Sequence, residues 1–299
     1  MASLESREVR ATFSPGTTGT PVEEQRRGWE EAVSGVILPS TITITAVDVA
    51  GIPSEWVASS AQPAGDTVVL YVHGGGFTAG SPKTHRELAA RLVEASGSRL
   101  LVIDYRLAPE SRCPAAVDDV VTAYRWLLDT GLAPQQIAFA GESSGAALIM
   151  AALVQLREAG APLPAAVALI SPWVDLTMSG PTIESRAEVD PLTTKAGLTE
   201  ASRYYLGDRD PGDPMASPLF ADLQSLPPTL IHVGDHEILL SDSLQLAEKL
   251  RAAGVDVQLD IWDEMWHVWH GWAAAVPEAR QAIVQIGQFL RERLAAVAR

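Results

Sequence analysis

Apolar positions along this chain switch repeatedly between two spacings. Residues 41–49 alternate apolar and polar side chains, as a half-buried strand does, and a second extended stretch covers about 54–59. Residues 68–72, 100–103, 137–140, 166–170, 230–233 and 257–262 are short, nearly continuous apolar runs. Such runs mark strands buried on both faces. Between them the spacing is helical, over 84–95, 115–129, 144–159, 241–253 and 277–298. Strand and helix in alternation predict a mostly parallel sheet with helices on both faces, its opening antiparallel pair forming one edge.

Two segments break the alternation. Residues 1–39 are charged and hold one short amphipathic helix at about 22–33. Residues 175–218 are rich in Pro, Gly, Thr and Asp, with a helical patch near 198–206. An insertion of this length between core strands is commonly a covering element. The expected organisation is one α/β core, 40–174 with 219–299, under a cap made from 1–39 and 175–218.

Composition narrows the class. With 47% hydrophobic and 20% charged residues in 299, the chain can bury a sizeable core, which excludes a disordered or fibrous protein. Against 37 acidic side chains stand 22 basic ones, and the net charge of -15 weighs against a nucleic-acid partner. Cys113 is the sole cysteine, so neither an internal disulfide nor a thiolate metal cluster is expected. The longest apolar run, 146–154, is far below the roughly 20 residues of a membrane helix, so no membrane insertion is expected. Glu5, Arg7, Glu8 and Arg10 leave no apolar signal segment at the start, and a cytoplasmic location is the expectation.

The chemistry gathers at strand ends. Gly141-Glu142-Ser143-Ser144-Gly145 joins the run 137–140 to a helix, giving G-x-S-x-G in a strand–turn–helix setting. Such a tight turn presents the serine at the carboxyl end of its strand, next to a helix N-terminus. The bland alternative is that Ser143 merely caps the helix. His73-Gly74-Gly75-Gly76-Phe77 follows the run 68–72, and its glycines leave backbone N–H groups open to an oxyanion. Gly74-x-Gly76-x-x-Ala79 also matches a loose dinucleotide fingerprint. The G-x-S-x-G downstream favours the oxyanion role. His73 reads as loop-shaping, while Phe77, beside the loop, is expected to touch substrate.

Hydrolases with this serine motif place the acid and then the histidine later in the chain. His267, in the loop after the run 257–262, is the expected base. His270 is a neighbour on the same turn or a surface residue, and the pair lacks a third ligand spaced for metal. After the run 230–233 the chain offers Asp235 and Glu237, and either type could orient an imidazole. Asp235 is nearer the strand end. Trp262, Trp266, Trp269 and Trp272 around the base loop could line a pocket or pack the core.

Together these residues resemble the hormone-sensitive-lipase family of α/β-hydrolase esterases, from about residue 51 to the final helix. The resemblance rests on the HGGGF block at 73–77, Asp104-Tyr105-Arg106-Leu107-Ala108-Pro109-Glu110, Pro114-Ala115-Ala116 with Asp118, the GESSG turn, Ser171-Pro172-Trp173 and Ala216-Ser217-Pro218-Leu219. It implies an α/β-hydrolase fold with an eight-stranded, mostly parallel sheet and a helical cap. It also implies a carboxylesterase acting best on small esters of short acyl chains, without cofactor or metal. Its register after the glycine selects Glu237-Ile238-Leu239, so the implied set is Ser143, Glu237 and His267, although Asp is the commoner acid. The implied oxyanion donors are the N–H groups of Gly75, Gly76 and Ser144. Family members often dimerise through the strand at 257–262, so a homodimer is expected. The 104–110 block reads as a turn network built on Arg106. Rival readings are a lactone hydrolase or a metabolite deacetylase with the same machinery, and a receptor on the same fold, against which His267 weighs.

Overall fold

A computed structural model describes residues 2–13, 18–61 and 66–294. Eight strands form one sheet in the order β1-β2-β4-β3-β5-β6-β7-β8. They are β1 (Ile42–Val49), β2 (Ile52–Ser59), β3 (Val68–Val72), β4 (Arg99–Ile103), β5 (Ile137–Glu142), β6 (Ala166–Ile170), β7 (Thr229–Gly234) and β8 (Val257–Trp262). β1 pairs antiparallel with β2, and β2 with β4. All remaining pairs are parallel. The burial of each strand follows its composition. β3 is Val-Val-Leu-Tyr-Val and wholly buried, whereas the edge strand β1 alternates and keeps one face in water.

Helices α3 (Arg86–Ser96) and α9 (Pro277–Arg293) cover one face of the sheet; α4 (Ala115–Asp129), α5 (Ser144–Glu158) and α8 (Leu240–Ala252) cover the other. The C-terminal helix ends at Arg293, and the expected stretch 295–298 lies outside the described residues. The helix expected from residue 84 opens instead as a 3₁₀ turn, Lys83–His85. No described helix is long and apolar enough to cross a membrane.

The remaining helices are α1 (Leu4–Arg10), α2 (Val22–Ala32), α6 (Thr182–Ser185) and α7 (Lys195–Leu206). α1 is absent from the sequence reading. Its carboxylate tether is distant: Glu278 of α9 accepts from Ser3 N–H at 2.6 Å and from both the Ser3 and Ser6 hydroxyls. α2 is held by Arg26, which donates to the Thr78 and Ala108 carbonyls at 2.7 and 2.8 Å and grips Glu110.

Asp242, in the first turn of α8, pins that helix to the chain after β6. Its Oδ2 accepts the N–H groups of Val174 and Asp175 at 2.9 and 3.0 Å. Burial pushes its pKa up to about 8; the charge of Asp175 adds to this and the two N–H bonds offset part of it. A folded-state value above the unfolded one means that this side chain stabilises less as pH rises from about 4 to 8. Asp242→Asn keeps an acceptor and removes the charge. The melting temperature of the variant minus that of the wild type is therefore expected to rise between pH 5 and 8. Thermal unfolding at several pH values checks this, and a flat or falling difference contradicts it.

Candidate active site

β5 ends one residue before Ser143, and α5 begins one residue after it. Between the two, Ser143 has φ 53° and ψ -123°, a conformation that side-chain-bearing residues rarely adopt. The turn is locked from outside, since Ser143 N–H donates to the Ile170 carbonyl of β6 at 2.9 Å. It is also locked from below: a Cβ at Gly145 would lie 2.2 Å from the Val72 carbonyl oxygen and 2.5 Å from that of His73. Only glycine lets α5 start this close to β3. The Ser143 side chain makes no capping bond to α5, so its hydroxyl is left for other partners.

That hydroxyl meets His267. Ser143 Oγ and His267 Nε2 are 2.9 Å apart, and His267 Nδ1 is 2.9 Å from Glu237 Oε2. Glu237 is fully buried, and its other oxygen accepts Gly234 N–H at 2.6 Å and the Ser171 hydroxyl at 2.8 Å. Ser171 Oγ in turn accepts Val268 N–H at 3.1 Å. One serine therefore ties the acid loop to the base loop. Ser171 (φ 46°) and Val268 (φ 54°) both occupy the left-handed region, which is unfavourable for a β-branched valine. Burial lowers the pKa of His267, but the hydrogen bond and charge of Glu237 raise it further, and the net shift is upward.

Of the two carboxylates left open by position, Glu237 faces the imidazole. Asp235 continues the line of β7, its N–H donating to Trp262 of β8 and its Oδ1 accepting Glu264 N–H at 2.6 Å. It shapes the turn after β8. The chain reverses beyond it, and this brings Glu237 under His267. His270 is no surface residue: it is buried, with Nε2 3.2 Å from His232 Nδ1, and burial keeps it neutral.

The glycine loop sits beside Ser143. Gly75 has φ 116°, accessible to glycine alone, and its carbonyl accepts the Thr78 and Ala79 N–H groups at 3.1 and 3.0 Å. This closes a tight turn, and no α-helix follows until Arg86. The dinucleotide fingerprint therefore lacks the helix N-terminus that would hold a pyrophosphate. Among the described residues, the N–H groups of Gly75, Gly76 and Ser144 donate to no protein acceptor, whereas Gly74 N–H is held by Glu142 and Phe77 N–H by Ser144 Oγ. His73 shapes the loop as expected; buried and next to His85, its pKa falls to about 3.

Phe77 is placed differently from its expectation. Its φ of 64° turns the ring away from the serine into the core, where it stacks on Tyr205 at 3.9 Å with 1% exposure. It does not line the cavity. The 104–110 block is a turn network, with Arg106 gripping Asp119 and Tyr105 donating to the His73 carbonyl. Trp266 and Trp269 are core residues, and Trp272 faces the site. The sequence assigns no role to Ser171, Glu142 or His85; their contacts with Glu237, Val268, Gly74 and each other span 57 to 97 positions.

A cavity of about 870 Å³ opens above Ser143. Its walls include Trp29 of α2, Leu198, Ala201 and Tyr204 of α7, together with Gly75, Gly76, Trp173 and His267. Among the described residues no group of three or more His, Cys, Asp or Glu side chains could hold a metal.

A strand–turn–helix serine in contact with a histidine, at the carboxyl end of such a sheet, defines the α/β-hydrolase class. Residues 69–271 match the family described as alpha/beta hydrolase fold. The chain is 41% identical over 296 residues to an acetyl-hydrolase of Streptomyces hygroscopicus, covering 97% of each, and 36% identical to an esterase of Acinetobacter venetianus, covering 83% and 82%. It overlays an esterase of the bacterial hormone-sensitive lipase family with a TM-score of 0.93 at 42% identity, over 99% of this chain and 100% of that one. The protein belongs to the hormone-sensitive-lipase family of α/β-hydrolase esterases and is a carboxylic-ester hydrolase.

Proposed function

We propose that this esterase hydrolyses short-chain acyl esters through an acyl-enzyme on Ser143. His267 Nε2 takes the Ser143 proton as Oγ bonds to the acyl carbon, and the carbonyl electron pair moves onto oxygen. The N–H groups of Gly75, Gly76 and Ser144 hold that oxyanion. Collapse breaks the ester C–O bond, and His267 delivers its proton to the departing alcohol. Water then repeats the sequence and frees the acid. Glu237 holds the imidazole in the tautomer with hydrogen on Nδ1 and stabilises its cation.

The observation that carries this reading is the unbroken path from Ser143 Oγ through His267 to Glu237, at 2.9 Å for each step. The limit to a short acyl chain is supported by the acetyl-hydrolase relative, 41% identical over 97% of this chain. A p-nitrophenyl ester series from acetate to palmitate tests the reading. The expected result is turnover that peaks at acetate or butyrate, preceded by a burst of about one p-nitrophenol per enzyme. Preference for palmitate, or release without any burst under conditions where deacylation is slow, would overturn it.

A further inference from the structure

Immediately behind the glycine loop lies a second polar pair. Glu142, one residue before Ser143, is buried, and its Oε1 accepts both Gly74 N–H and His85 Nε2–H, the latter at 3.1 Å. On the other side of the same ring, His85 Nδ1 is 3.1 Å from the Ser81 carbonyl oxygen and 2.8 Å from Thr84 Oγ1. The Thr84 hydroxyl also accepts Ser81 N–H and lies 2.9 Å from the Ser81 carbonyl oxygen. The two imidazole nitrogens thus face the Glu142 carboxylate on one side and the Ser81 carbonyl on the other, and the doubly protonated ring donates to both. The rings of His73, Tyr71 and Trp29 surround it at 5.1, 6.3 and 6.3 Å, and His73 is neutral.

We propose that His85 is a cation that neutralises Glu142 behind the oxyanion loop, so that the Gly75 and Gly76 amides meet developing negative charge without a bare carboxylate behind them. Glu142 and His85 are thus positioning residues: one holds Gly74, the other cancels the charge this requires. Burial acts against the imidazolium, but the Glu142 charge and hydrogen bond outweigh it, so the His85 pKa moves up. The pair explains why a carboxylate is tolerated next to a nucleophile whose reaction creates an anion. In a poorly hydrated site, an uncompensated carboxylate at this range would raise the transition state.

The inference rests on Ser143 being the nucleophile, and a double-mutant cycle on the full chain tests it. His85→Gln, Glu142→Gln and the double variant are assayed on p-nitrophenyl butyrate and titrated with an aryl trifluoromethyl ketone, which forms an oxyanion on a serine. His85→Gln is expected to lower kcat roughly ten- to hundredfold with KM nearly unchanged, and to weaken the ketone in parallel. The double variant should recover most of that loss, because it removes both charges. A kcat for His85→Gln within twofold of wild type overturns the proposal. So does a double variant whose loss is the product of the two single losses, or a fall in kcat without weaker ketone binding. Should either Glu142 variant fail to fold, the ketone affinity of His85→Gln still decides. If the nucleophile reading fails instead, the wild type itself does not bind the ketone tightly, and the two failures are told apart.

Discussion

Ser143→Ala is expected to lower kcat on p-nitrophenyl butyrate by about 10,000-fold or more, with the melting temperature unchanged. The variant removes the atom proposed to bond to the acyl carbon and leaves the rest of the site in place. Nothing in the fold depends on that atom. The turn is held by the Ser143 backbone, through its N–H on Ile170 and its carbonyl, which accepts the Ala146 and Trp173 N–H groups. The side chain makes no capping bond to α5. Had Ser143 been a helix cap, alanine would cost about 1 kcal/mol of stability and leave the rate alone. The two readings thus predict opposite pairs of outcomes. A variant that keeps more than about a hundredth of the wild-type kcat would remove Ser143 from the mechanism. Residual turnover at the expected level reflects water attacking an ester still held by the glycine loop, and it should show no p-nitrophenol burst.

What the sequence could convey depended on how local the deciding contacts were. β3 and β6 have the bounds expected from their apolar runs, because a strand buried on both faces is apolar at every position and ends where polarity begins; β8 also spans 257–262, but as the outer strand it carries Gln258 and Asp260 and is partly exposed rather than buried on both faces. α4 follows its periodicity over all of Ala115–Asp129 because its buried positions recur at helical spacing on one face. α1 could not be read this way. Its seven residues, Leu-Glu-Ser-Arg-Glu-Val-Arg, are mostly polar and too few for an isolated helix. Its stability comes from Glu278 at its start and from Arg10, which donates to the Val189 carbonyl and reaches His236. Those partners lie more than 170 positions away.

The candidate site divides along the same line. G-x-S-x-G and the glycine loop are legible because each is a local backbone demand: Gly145 must clear two carbonyl oxygens of the chain beside it, and Gly75 must take φ 116°. Phe77 was misplaced because one backbone angle, φ 64°, decides whether the ring points to substrate or to Tyr205. Sequence position alone favours Asp235, the nearer to the strand end, and only the family resemblance selects Glu237. What separates them is the reversal after β7, held by His236 N–H on the Met265 carbonyl, which lies in the base loop. Ser171 belongs to the Ser171-Pro172-Trp173 block, but that block gives it no role. Its role exists only once β6, β7 and the base loop are side by side.

Glu237→Gln is expected to lower kcat about 1,000- to 10,000-fold, a severe effect for an exchange of one oxygen for an NH₂ group. The surroundings dictate which way the amide lies. Gly234 N–H and the Ser171 hydroxyl both donate to the Oε1 position, so the amide oxygen must stay there. The NH₂ group then occupies the Oε2 position, 2.9 Å from His267 Nδ1, and donates to it. Nδ1 becomes an acceptor, the ring proton moves to Nε2, and Nε2 can no longer take the proton of Ser143. The imidazolium also loses its counter-charge. In the wild type burial lowers the His267 pKa and Glu237 raises it by more, so the acid limb of kcat/KM is expected above the ordinary imidazole value of 6.5. Without the carboxylate, burial remains and the limb moves to lower pH. The ratio of wild-type to variant rate should therefore be smallest on the acid side and grow as pH rises through the wild-type limb. Glu237→Asp, which keeps the charge with a shorter reach, should hold the limb near its wild-type position and retain more activity. Full pH profiles of the three proteins decide the matter: an acid limb that stays fixed in Glu237→Gln would mean that Glu237 does not set the ionisation of His267.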